Sequence, residues 1–141
     1  EEAFFAPFLG AKWLTVRHDT LVSLPAVYAQ HDLALYPLRP GAYQKTVFSV
    51  KIPEYLAGGL PIAAIRCGET ARFLETWGVG RCCDDGEEAF AKLVQQMLSQ
   101  REEYKRMTER IPFCVQENQW VHRARQAASV LLAMTEKRNE T

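Results

Sequence analysis

The chain has 141 residues, 17 Lys+Arg against 17 Asp+Glu, 48% hydrophobic and 24% charged residues, the proportions of one ordinary globular domain. Zero formal net charge and a pI near 7.1 supply no bulk attraction to phosphate backbones or anionic bilayers, so nucleic acid is not an expected partner. No run approaches the ~18 uninterrupted apolar residues of a spanning helix, and the N-terminus lacks the pattern of a signal peptide.

The sequence opens on Glu1 rather than Met, which suggests a mature product or, more simply, a segment of something longer. Cys67, Cys82, Cys83 and Cys114 show no C-x2-C spacing and no histidine at a ligand distance, so reduced thiols, no metal and a cytosolic compartment are expected. The sequon Asn139-Glu140-Thr141 reads as chance. Phe4, Phe5 and Phe8 read either as a core flap or as a face toward a missing neighbour.

Trp13-Leu14-Thr15-Val16 is a short apolar run of strand formers, ended by the polar turn Arg17-His18-Asp19. His18-Asp19 reads as a polar turn before a helix more readily than as an acid/base dyad. Ser23 to Gln30 carries a capping serine, a first-turn Pro25 and one apolar face through Leu24, Val27 and Tyr28. Leu33 to Tyr36 is a buried strand stopped by Pro37. A loop over 37–47 holds two prolines and a glycine, and a helix over Ser49 to Ala57 ends at Gly58-Gly59. Pro61 to Ile65 is a second buried strand, Thr70 to Trp77 a helix closed by Gly78, and Val79 to Cys83 a weaker strand. Asp85-Gly86-Glu87-Glu88 predicts a capping box before the helical spacing of Phe90, Leu93, Val94, Met97 and Leu98. Gln100 to Arg110 reads as a solvated helix with one thin apolar edge. Trp120 to Leu132 reads as an apolar stripe on a long last helix.

Short buried strands alternating with helices predict a doubly wound α/β fold with a parallel sheet covered on both faces, spanning 1–141 as one domain. Ligands of such sheets bind beyond the carboxyl ends of the strands, which directs attention to the loops after Val16, Tyr36 and Ile65.

The most specific local feature is Phe48 to Ile62. A helix starting directly after such a loop turns backbone N–H groups and a partial positive charge into the crevice, and Lys51 adds a full charge where a diphosphate would lie. Glu54, three residues on, falls on nearly the same face, where a carboxylate can take two hydrogen bonds from a ribose. A solvent-facing ion pair explains Lys51 and Glu54 equally well when they are taken alone.

This run and its setting resemble the nucleotide-sugar-binding half of GT-B glycosyltransferases, in particular the family-four-like, group 1 enzymes. Their strand D-l-x-l-x-P, then K-x-x-E-Y-L-A-x-G-x-P-V, then G-x-G correspond to Asp32 to Pro37, Lys51 to Ile62 and Gly78-Val79-Gly80. Trp120, Arg123 and Ala124 match the closing helix, so the resemblance covers roughly residues 13 to 130. It implies a Rossmann-like C-terminal half-domain whose Glu54 binds the ribose and whose Lys51, with the Ser49 and Val50 amides, binds the diphosphate. Lys51 is the catalytic candidate, and Thr46, Arg66, Gly68, Glu69 and Thr70 are candidates near the sugar.

Two departures accompany the resemblance. Thr46 stands eight residues before Glu54, where many relatives carry a second glutamate, and two further βα units and an N-terminal acceptor domain would be expected outside this segment. The implied function is transfer of a hexosyl or uronosyl group from a nucleotide diphosphate sugar to a polysaccharide or glycolipid acceptor bound through the other domain. No cofactor is implied. This piece alone is expected to be inactive and to associate into a homodimer or larger species. A longer parent would be cytoplasmic or peripheral at the inner face of the membrane. The alternatives are a non-catalytic nucleotide-binding or interaction module, and a small dehydrogenase, against which the lack of Gly-x-Gly-x-x-Gly after the first strand counts.

Overall fold

The computed structural model describes residues 5–139, with side chains through 135. Three parallel strands, β1 (Ala34–Tyr36), β2 (Ile62–Ile65) and β3 (Gly80–Cys83), form a sheet in the order β1-β2-β3. Ala34 pairs with Ile62, and Ile62 in turn with Gly80. The helices are α1 (Leu24–Tyr28), α2 (Lys51–Ala57), α3 (Gly68–Trp77), α4 (Glu87–Ser99), α5 (Arg101–Glu117) and α6 (Trp120–Asn139). The class is α/β with a Rossmann-like parallel sheet.

Strand alternation sorts the core into two layers. Ala34, Ile62 and Ala64 pack with Ile52 and Leu56 of α2, Leu74 of α3, and Ile111 and Cys114 of α5. On the opposite face, Ala63 packs with Leu93 and Met97 of α4 and Met107 of α5. All four residues of β2 are buried, which is why its sequence is a continuous apolar run rather than an alternating one. The Tyr104 hydroxyl donates to the Asp32 carbonyl at 2.8 Å, pinning α5 to the start of β1. Helix α3 ends at Gly78 in the left-handed region, φ 61°, with the Val79 amide returning to the Leu74 carbonyl at 3.2 Å; an L side chain there would be strained.

Trp13 to Val16 is not a strand. A turn takes in Lys12 and Trp13, the residues after it are irregular, Trp13 is 74% exposed, and its ring meets Phe8 at 5.8 Å. Strand-forming residues form a strand only against a partner, and none of the three strands pairs with this segment. The capping box is also not made. Gly86 occupies the position before α4 without a side-chain cap, and Asp85 instead faces Arg39 at 3.6 Å. Ser23 turns away from its helix, taking the Thr20 amide at 2.9 Å and donating to Asp19 at 3.1 Å. Asp19 is also paired with Arg17 at 3.0 Å, so His18-Asp19 belongs to a polar turn. The helix expected over 100–110 runs on to Glu117 through Pro112, because Ile111 and Cys114 are drawn into the core. Phe4, Glu140 and Thr141 lie outside the described residues.

Candidate functional site

The carboxyl ends of β1 and β2 open on a cleft of about 340 Å³, within the usual range for small-molecule sites. Tyr36 forms one wall, the loop after β1 supplies Leu38, Tyr43, Gln44, Val47 and Phe48, and Cys67 and Thr70 come from the start of α3. Ser49 and Val50, immediately before α2, complete the lining. Apolar and aromatic groups dominate, and the hydrogen-bonding side chains are uncharged. The loop is held by a close approach: Gly68, at φ +45°, lies so near the Lys45 carbonyl that a Cβ would overlap it.

Gly68 aside, the expected site residues divide into three groups. Ser49, Val50 and Thr70 come together in the cleft lining. Lys51 and Glu54 lie next along α2, where the ammonium donates to the carboxylate at 2.8 Å. Beside them stand Tyr28 and Tyr55, edge to face at 5.6 Å. Thr46, Arg66 and Glu69 bond to their own neighbours: Thr46 Oγ1 donates to the Tyr43 carbonyl at 2.9 Å, Arg66 pairs with Glu75 at 2.5 Å, and Glu69 pairs with Arg72.

Ser49 Oγ accepts the Lys51 amide at 3.3 Å, and its carbonyl accepts the Ile52 amide at 3.2 Å. The hydrogen bond that the Lys51 ammonium donates to Glu54 holds it above its ordinary pKa, against the opposing effect of burial. Burial pushes the Tyr28 and Tyr55 hydroxyls up; next come the Glu54 charge at Tyr28 and the Tyr28 charge at Tyr55. Both phenols therefore stay neutral hydrogen-bond donors at neutral pH.

All four cysteines are free. Burial drives the Cys82 and Cys114 thiols to about 11, which keeps them protonated and poor nucleophiles. Among the described residues no group of three or more His, Cys, Asp or Glu is placed to hold a metal ion.

The loop side chains of the lining escaped sequence reading because an irregular loop has no periodicity to count. Phe48 joins a further aromatic row, meeting Phe73 at 5.0 Å; Phe73 meets Trp77 at 6.2 Å, and Trp77 meets Phe113 at 5.9 Å. The spacing of Phe73 and Trp77, one turn apart on α3, is the signal that could have found that row.

A parallel sheet with a cleft across its strand ends, beside a helix bearing a partly exposed lysine–glutamate pair, defines a Rossmann-like α/β protein. Residues 10–100 match the family Glycosyl transferases group 1, and the chain belongs to that family. No curated protein and no solved structure matches the chain. No helix among the described residues is long and apolar enough to cross a membrane.

Proposed function

We propose that this chain is the donor-binding part of a glycosyltransferase that moves a sugar from a nucleotide diphosphate sugar to a polysaccharide or glycolipid acceptor. The observation that carries the reading is adjacency along the chain: Ser49 and Val50 line the uncharged cleft at the ends of β1 and β2, and Lys51 and Glu54 follow them directly on the first turn of α2. A donor has a matching order of chemistry, a sugar ring, then a diphosphate, then a ribose.

In this reading the sugar end of the donor enters the cleft against Thr70, with Thr46, Arg66, Gly68 and Glu69 shaping the surrounding loops. The diphosphate lies at the Val50 amide and the Lys51 ammonium, and Glu54 accepts hydrogen bonds from the ribose hydroxyls. As the glycosidic bond breaks, negative charge grows on the departing diphosphate. Lys51 then interacts more strongly in the transition state than in the ground state, whereas the ribose contact is equal in both. Glu54 holds the ammonium in place until the donor arrives.

The acceptor and the remaining catalytic groups come from parts of the enzyme beyond these residues, so the 141-residue chain binds donor weakly and turns nothing over. In the cell the whole enzyme works in the cytoplasm or at the inner face of the membrane.

Calorimetric titration with UDP, GDP and ADP tests this. Dissociation constants of roughly 0.1–10 mM for at least one nucleotide are expected. Micromolar affinity or glycosyl transfer by this chain would overturn the incomplete-site account, and no saturable binding of any of the three would overturn the donor-site assignment.

A further inference from the structure

The ten-residue helix α3 starts at the cleft without a cap. Cys67 stands before it in the extended conformation of a capping residue, φ −153° and ψ 122°, yet its side chain makes no cap hydrogen bond. The Ala71 amide is the first of the helix to reach a carbonyl, that of Cys67 at 3.2 Å. The amides of Gly68, Glu69 and Thr70 before it have no partner among the described residues. A serine, threonine, aspartate or asparagine in the capping position would satisfy the Glu69 or Thr70 amide with its side-chain oxygen. Here the cap is missing, and Cys67 and Thr70 both line the cleft.

Thr70 gives a second, independent sign. It is 4% exposed, the only buried polar residue among those described. Its hydroxyl makes no hydrogen bond to the described chain, yet the oxygen is not sealed away from solvent, and the cleft it lines is where it meets a partner. Hydroxyls this far inside a protein are normally satisfied, so a free one on the cleft wall, beside free amides, marks a place for a ligand's oxygen atoms. We propose that a carboxylate caps α3 there, accepting from the Glu69 and Thr70 amides and the Thr70 hydroxyl, and hence that the donor carries a hexuronosyl group. This rests on the donor-site reading and adds to it the class of sugar.

Three features favour a carboxylate over a neutral hydroxyl or a further phosphate. First, amides only donate. A carboxylate offers about four lone pairs and no hydrogen, whereas a sugar hydroxyl brings a hydrogen that needs an acceptor of its own. Second, the start of a helix carries partial positive charge, which favours an anion over a neutral group. Third, no cation is free to meet a doubly charged phosphate. None of the cleft-lining residues is charged, Arg66 is paired with Glu75 at 2.5 Å and lies 4.0 Å from Asp84, and Arg72 is held by Glu69, whose own carboxylate is thereby engaged. One negative charge, spread over two oxygens, matches a site built from amides and one hydroxyl.

Amide NMR on the 141-residue chain tests this with sugars and nucleotide sugars. Glucuronate should move the Glu69 and Thr70 amide resonances and glucose should not. UDP-glucuronate should bind roughly tenfold tighter than UDP-glucose, or GDP-mannuronate than GDP-mannose. Thr70→Val should erase that preference without lowering the melting temperature, since the hydroxyl has no bond within the fold to lose, and Thr70→Ser should retain it. Nucleotide sugars that bind without favouring the uronate, a preference that survives Thr70→Val or is lost in Thr70→Ser, or Glu69 and Thr70 amides unmoved by glucuronate would overturn this inference and leave the donor-site reading intact. A Thr70→Val chain that melts well below the parent would also overturn it, by giving the hydroxyl to the fold. Failure of all four nucleotide sugars to bind, with glucuronate still moving both amides, would overturn the donor-site reading and leave the carboxylate site standing.

Discussion

Lys51 Nζ and Glu54 Oε2 lie 2.8 Å apart on the first turn of α2, with side chains 49% and 29% exposed. Pairs this open contribute at most about 1 kcal/mol to stability, because water screens them and both side chains lose rotamer freedom. A binding role and a folding role for the two residues can therefore be separated by experiment.

Lys51→Ala should change stability by no more than about 0.5 kcal/mol, yet weaken UDP, GDP or ADP binding by about tenfold through loss of a charge-assisted contact. Its effect on the matching nucleoside should be negligible. Glu54→Ala should weaken nucleotide and nucleoside alike, since the ribose is common to both. Titrations of each variant with both ligands check this, and unchanged affinities would return the pair to the surface.

Gly68 controls the cleft indirectly. Its φ of +45° and the adjacent Lys45 carbonyl mean that Gly68→Ala needs both an unfavourable backbone conformation and a displaced loop. A loss of about 1–3 kcal/mol is expected, together with weaker nucleotide binding, because Tyr43, Gln44 and Val47 move with the loop. Thermal melts and titration measure the two effects. A variant as stable as the parent would show that the loop yields freely.

The core makes a sharper contrast. Leu74 is fully buried between α3 and the sheet, and Leu74→Ala should cost about 2–5 kcal/mol in urea unfolding. Leu98, 51% exposed on α4, should lose less than about 1 kcal/mol when changed to Ala.

Legibility in the sequence followed the strength of local pattern. The run from Lys51 to Ile65 was readable because a 3.6-residue apolar face, a double-glycine stop and a continuous buried strand each carry their own physics. Trp13 to Val16 misled because strand propensity is really the propensity to lie against a neighbour, and no neighbour is there. Pro112 hid the second half of α5: a mid-helix proline costs about 3 kcal/mol, and only the burial of Ile111 and Cys114 around it, invisible before folding, offsets that cost. At the cleft, Ser49 and Val50 were named from their place at a helix start and Thr70 as a loop candidate, and all three line it. Arg66 and Glu69 were proposed from sequence proximity, and their side chains turn to Glu75 and Arg72 instead.

Alkaline pH should unfold this chain through its thiols. Cys114 is fully buried, and burial raises its thiol from 9.0 to about 11, against the lowering effects of the Asn118 hydrogen bond and the Arg123 charge. The folded state thus keeps a proton that the unfolded state releases first, so the stabilisation is complete below pH 9 and is lost as pH climbs from about 9 to about 11. Cys82, raised to about 11 by burial and then by Glu75, adds to the same slope, as do Tyr28, Tyr55 and Tyr104, all raised chiefly by burial. Urea unfolding at successive pH values should show stability flat near neutrality and falling across that window. Cys114→Ala should lose stability at pH 7 through the small cavity it leaves, yet show a shallower alkaline decline. An unchanged slope in that variant would mean that the Cys114 thiol ionises as readily in the folded chain as in the unfolded one.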